Sequence, residues 1–127
     1  MYCTKDDITS KRIPERTLIQ LTDDAGTGSV DEAMLSEVLA EVSDTVDGYI
    51  RGAVTLPLAP VPPLVRSLAL DLATYRLYAR RVTGELPEKI KDMHDAAIKR
   101  LKDIQAGKLQ LADTAIQKKG RARFYAI

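Results

Sequence analysis

The chain has 127 residues and sets 19 Lys and Arg against 18 Asp and Glu, a net charge of +1, so nucleic-acid affinity driven by total charge is excluded. A hydrophobic content of 45% supports one modest core, and with 5% aromatic residues and no Trp that core must be mostly aliphatic. The lone Cys3 excludes an internal disulfide and fits a reducing compartment.

The charge is unevenly spread. Asp31, Glu32, Glu37, Glu41, Asp44 and Asp47 form an acidic run without a base, and Lys118, Lys119, Arg121 and Arg123 form a basic run without an acid. The N-terminal residues lack the basic-then-apolar order of a secretory signal, and no apolar run is long enough for a bilayer span. A soluble protein with no membrane contact is expected, made where it works or carried out inside an assembly.

Taken in order, Thr4 before Lys5-Asp6-Asp7 reads as an N-cap with acids in the first turn, predicting a short helix over 4–11. Pro14 interrupts it and opens a second short helix over 14–21 that buries Leu18 and Leu21. Residues 22–29, TDDAGTGS, are turn-forming and read as a surface loop. Ser29 to Glu32 matches a capping box, Ser29 accepting and Glu32 reaching back.

Met34, Leu35, Val38, Leu39, Val42, Val46, Tyr49 and Ile50 continue at helical spacing, predicting a helix over 30–51 with Gly52 as its left-handed stop. Pro57 and Pro60 then favour an extended connector over 53–61, anchored by Leu56 and Leu58. Pro62 and Pro63 suit a helix start, and the spacing of Leu64, Val65, Leu68, Ala69, Leu72, Tyr75 and Tyr78 predicts a helix over 62–82, ended by Gly84. Pro87 opens a last helix over 87–106 with Ile90, Met93, Ala97, Leu101 and Ile104 inward and Gly107 as terminator.

The expected fold class is therefore all-α: a compact bundle of three long and two short helices with a proline-rich extended loop. A helical domain over 1–107 is followed by an extended C-terminal arm over 108–127, where the helical period is lost. The proposed core is Leu35, Val38, Leu39, Val42, Val46, Ile50, Leu64, Leu68, Leu72, Tyr75, Ile90, Met93, Leu101 and Ile104.

Groups that could carry chemistry are sparse, and no catalytic, metal or cofactor site is expected. His94 has no second histidine or cysteine pair at ligand spacing. Cys3 has no local base to activate it. Gly26 and Gly28 are not followed by the Lys-Ser/Thr of a phosphate loop. Tyr75 and Tyr78 among Arg76, Arg80 and Arg81 could stack on nucleic acid, but tyrosines at this spacing suit packing with a satisfied hydroxyl.

Two features could meet a partner. Glu37, Glu41 and Asp44 share one helix face, either simply solvated or an acidic docking surface. Lys118, Lys119, Arg121 and Arg123, with Phe124, Tyr125 and Ile127 behind them, give the arm both charge and an apolar end.

The succession MYCTKDDI, LIQLTDD, GSVDEAML, DGYIRG, LPLAPVPPLV and ALDLATYRLYARR resembles the Mu-like phage neck protein family over roughly the first two thirds of the chain. Met1-Tyr2 with Asp6-Asp7, Asp47-Gly48-Tyr49, Leu56-Pro57-Leu58 and Val61-Pro62 carry the likeness. The resemblance implies a small helical head-tail adaptor that forms a homo-oligomeric ring between portal protein and tail or tail-completion protein. DNA would be present only as channel contents, in a particle assembled in the host bacterial cytoplasm, and the protein would end in the virion neck. It brings no catalytic residues. A helix-turn-helix DNA-binding regulator is the alternative from another class; it would keep its recognition helix basic, whereas here the arginines of the third long helix share it with core residues. An enzyme is the weakest reading.

Overall fold

The computed structural model describes residues 1–81, 86–109 and 111. Among them are five helices and no strand: α1 (Lys5–Lys11), α2 (Glu15–Thr22), α3 (Glu32–Ile50), α4 (Pro63–Ala79) and α5 (Glu88–Gln105). The long helices α3, α4 and α5 all touch one another, while α1 and α2 pack on α4. The chain is all-α, as its periodicity and caps predicted.

Local chemistry explains most of the helix ends. Thr4 Oγ1 accepts from the Asp7 amide at 3.2 Å and Asp7 returns a bond to the Thr4 amide at 3.0 Å, a reciprocal cap at the start of α1. Pro14, Pro62 and Pro87 precede α2, α4 and α5, where their lack of an N–H costs nothing. At the end of α5, Gly107 takes φ 80. Its amide and that of Lys108 bond back to Ile104 O at 3.1 Å and Asp103 O at 2.8 Å, a Schellman closure.

Two ends differ from the expectation. The N-cap of α3 is Asp31, not Ser29: its carboxylate accepts from the Met34 amide at 3.0 Å. The preceding loop is wound on Asp23, which accepts from the amides of Thr27 and Gly28 at 2.9 and 2.7 Å, and Thr22 Oγ1 accepts from the Asp31 amide at 3.1 Å. That arrangement carries the chain past Ser29 before the helix can begin. Nor is Gly52 a left-handed stop, since its φ is not positive. The chain instead continues in turns, with the amides of Ala53 and Val54 both on Ile50 O, which brings those two side chains into the core at 5% and 2% exposure.

The connector after α3 lies on the helices through Ala53, Val54 and Leu58, with Leu56 and Val61 half-buried, and its Leu56–Pro57 and Ala59–Pro60 peptides are cis. Of the proposed core, the α3 residues Leu35 to Ile50 are buried, as are Leu68, Leu72, Leu101 and Ile104. Leu64, Tyr75, Ile90 and Met93 are only half-buried. On α4 the buried set is wider than one stripe, because Val65, Ala69, Leu70, Ala73, Thr74 and Leu77 are all enclosed by the four helices around it. Among the described residues the two buried polar side chains are satisfied within their helices: Thr22 Oγ1 donates to Leu18 O at 2.9 Å and Thr74 Oγ1 to Leu70 O at 2.7 Å.

Leu68 is 2% exposed on the central helix. Leu68→Ala should therefore cost about 2–5 kcal/mol in urea denaturation with an unchanged slope; an unshifted midpoint would contradict this burial.

Candidate functional site

The acidic run lies on α3, and the fold uses most of it internally. Asp31 caps the helix; Glu32 pairs with Lys5 Nζ at 2.7 Å. Glu41 Oε1 accepts from Arg76 Nη1 at 2.9 Å, and Arg76 Nη2 also donates to Thr45 Oγ1 at 3.2 Å. Asp47 accepts from the Tyr2 hydroxyl, whose pKa is raised by burial and by that carboxylate. Glu37 and Asp44, both exposed, carry no side-chain bond or ion pair among the described residues. The proposed face Glu37, Glu41 and Asp44 is thus one paired and two unpaired carboxylates.

The Tyr2 contact joins two of the short sequence pieces that carry the family likeness. Met-Tyr at the start of the chain and Asp-Gly-Tyr near the end of α3 meet through Tyr2 and Asp47, and the Tyr2 amide donates to Ser43 Oγ at 3.1 Å. Cys3 is drawn into the core behind it at 3% exposure. Burial pushes its thiol up to about 11, so it is no nucleophile at neutral pH.

Between α3 and α4 runs an open groove of about 540 Å³. Met34, Val38, Tyr75 and Ala79 form its apolar part, Glu37 and Glu41 its α3 side, and Arg76 and Arg80 its α4 side. Tyr75 is stacked on His94 with ring centroids 3.9 Å apart and 24° between planes, and His94 Nδ1 lies 3.2 Å from Asp95 Oδ1. The one histidine is therefore a packed ring between α4 and α5. No group of three His, Cys, Asp or Glu side chains among the described residues is placed to hold a metal ion.

The arginines Arg76, Arg80 and Arg81 toward the end of α4 are also occupied. Arg80 donates to Leu21 O and, at 2.8 Å, to Asp24 Oδ2; Arg81 bonds the other oxygen of Asp24. These contacts clasp the α2–α3 loop to the end of α4. With Arg76 on Glu41 as well, the cluster that suggested stacking on nucleic acid is spent on carboxylates.

Sequence reasoning missed the cleft of about 540 Å³ beside α1, lined by Lys11, Arg12, Thr74, Tyr78, Ile90 and Met93 among others. Ile90 and Met93 sit there half-exposed because the inward face of α5 meets α4 fully only from Ala97 onward. Of the arm, Leu109 packs against the core and Leu111 is buried at 3%. Lys118, Lys119, Arg121, Arg123, Phe124, Tyr125 and Ile127 lie outside the described residues. None of the described helices is long and apolar enough to cross a membrane.

A family model described as Bacteriophage Mu, Gp36 matches residues 2–124. The Mu-like prophage FluMu protein gp36 of Haemophilus influenzae is 28% identical over 111 residues, covering 87% of this chain and 75% of that protein. Gene product J of Escherichia phage Mu is 25% identical over 107 residues, covering 84% of this chain and 73% of that protein. The match reaches beyond the first two thirds in which the short sequence pieces were seen.

The Asp24 clasp makes a pH prediction. Hydrogen bonding from Arg80 holds the Asp24 carboxyl below the ordinary aspartate range. Its folded pKa being depressed, its contribution to stability is present above the unfolded value of about 3.9 and is lost as pH falls through the folded one. An NMR titration should show the Asp24 carboxyl protonating below a free aspartate, and Arg80→Met should move it back up. An Asp24 midpoint identical in both proteins would show that the clasp is absent in solution.

Proposed function

This chain belongs to the Bacteriophage Mu, Gp36 family and is a phage or prophage protein; we propose that it is a structural, non-enzymatic one, a head-tail adaptor that closes into a ring at the virion neck. It would assemble in the host bacterial cytoplasm and contact the portal protein on one side and a tail or tail-completion protein on the other, with DNA passing as channel contents. The observation that carries this reading, beside the family, is how the charge is used. Arg76, Arg80 and Arg81 are tied to carboxylates of the molecule itself, while Glu37 and Asp44 stay outward on a rigid helix. A part that docks by shape and complementary charge needs such a face and needs no reactive group. Glu37, Glu41 and Asp44 supply acidic contacts, and Lys118, Lys119, Arg121 and Arg123 with Phe124, Tyr125 and Ile127 supply the basic and apolar ones.

The test is genetic and physical together. A phage of this family lacking the gene should, on induction, accumulate DNA-filled heads and complete tails that stay unjoined in electron micrographs, with joining restored by the gene in trans. Normally joined particles would overturn the adaptor reading, and altered transcription with intact particles would favour the regulator. Native mass measurement at rising concentration, alone and with portal protein, should find discrete multiples of the 14.0 kDa chain.

A further inference from the structure

The cleft beside α1 is bordered by charge of one sign. Lys11 and Arg12 at the end of α1 and Lys89 at the start of α5 stand around an apolar floor of Tyr78, Ile90 and Met93. A smaller cleft of about 290 Å³ continues along α4 and α5, past Ser67 and Asp71 to Arg100. Among the described residues Asp71 is the one carboxylate that lines either cleft, and Arg12 holds it at 3.0 Å. Lys11, Lys89 and Arg100 are exposed and make no ion pair among the described residues.

The outward line of α3 has the opposite character. Helix α3 contains no Lys, Arg or His. Glu37 and Asp44 lie seven residues apart, hence on one line of the helix and about 10 Å apart along its axis. Ala33, Ala40 and Gly48 complete that line, and a Cβ on Gly48 would meet nothing within 4 Å. Small residues between two acids let another surface approach closely. Arg76 reaches α3 at Glu41 and Thr45, to one side of this line, and leaves its two acids uncovered.

The fold decides which surface can meet the cleft. Its walls come from α1, α4 and α5, with no residue of α3. Helix α3 is fixed on α4 and α5 through its buried face, so its outward line cannot enter the cleft of its own molecule. The run of Lys118, Lys119, Arg121 and Arg123 would be repelled there. Each of the other four helices carries bases among its acids. The outward line of α3 is thus the one helical surface of this protein whose charge complements the cleft, and it can reach one only in another copy.

We infer that the cleft between α1, α4 and α5 docks the outward line of α3 from a second copy of this chain. Glu37 and Asp44 face Lys11, Lys89 and Arg100, and Ala40 between them lies on the floor of Tyr78, Ile90 and Met93. The two surfaces differ, so the contact is heterologous and repeats from copy to copy, closing into a ring when the rotation allows. The inference rests on the ring reading above and gives it a basic surface on the body as well as on the arm, but the contact needs neither portal nor tail.

The experiment uses full-length chains. Ala40→Cys places a thiol on the α3 line and Met93→Cys places one in the cleft, sparing every charge invoked. Cys3 is buried and stays silent. The two variants are mixed, treated with a short bismaleimide and separated on a denaturing gel. A covalent dimer at twice 14.0 kDa is expected. Adding Asp44→Lys to the Ala40→Cys chain should lower its yield about fivefold. Adding Lys89→Glu to the Met93→Cys chain as well should restore it, because the pair is then reversed in sign. Both positions are exposed, so neither change disturbs the core. Replacing Met93→Cys by Gln105→Cys, exposed at the far end of α5, should give no dimer. The inference is overturned if the mixture gives no dimer, if Gln105→Cys dimerises equally, if Asp44→Lys changes nothing, or if Lys89→Glu fails to restore the yield. Because the readout is contact between copies, it can succeed where the tail-joining test fails, and the reverse.

Discussion

The structure depends on α4 being enclosed by all four other helices. A helix surrounded in this way can keep few exposed polar positions, and close approach of its neighbours needs small residues where they cross. Ala69 and Ala73 are fully buried there, and the one buried hydroxyl, Thr74, is satisfied by its own helix. The chief charged exception is half-buried Asp71. Arg12 reaches it from just past α1 with Nε at 3.0 Å and also donates to Ser67 Oγ at 3.3 Å. Burial nonetheless raises the Asp71 pKa, and the guanidinium only opposes that shift. The pair locates α1 on α4 more than it stabilises the fold, as expected when desolvation offsets attraction.

What was legible in the sequence is what local chemistry decides. The cap at Thr4, prolines before three helices, and Gly107 after the last act within a turn of themselves, and the structure places each as read. Ser29 and Gly52 were misread because their neighbours compete. Asp31 is a better acceptor at a helix N-terminus than a serine hydroxyl two residues earlier. The burial of Ala53 and Val54 keeps the chain right-handed through Gly52. The second buried side of α4 was hidden for another reason. A one-stripe reading ranks Leu70, Ala73 and Leu77 as off-face, and only the number of packing partners makes them core.

The candidate site was legible as composition but not as pairing. The acidic run was visible, yet nothing local says that Glu41 finds Arg76 35 residues away, or that Arg80 finds Asp24 across 56. Those bonds separate the acids that hold the fold from those that face outward. They also convert an arginine-rich helix from a nucleic-acid candidate into a structural clasp. Both sorting steps are tertiary, because a charge is available to a partner only after the fold has taken what it needs.

That sorting bears on how such a chain associates. Exposed ion pairs contribute little net affinity, and salt screens them within about 8–10 Å. In the proposed ring, Glu37 and Asp44 would therefore set direction and register, while the free energy of holding two copies together would have to come from apolar burial. A nearly neutral chain with its signs kept apart favours contact between unlike surfaces of successive copies over contact between like ones. The apolar residues at 124–127 are few, so a single contact would be weak. A closed ring changes that, because each copy is then held on two sides and must break both contacts to leave. In the proposed adaptor, weak, directional contacts that become durable only on closure would keep copies dissociated until enough gather, and would make the docking residues, not the helical core, the place where assembly can be controlled.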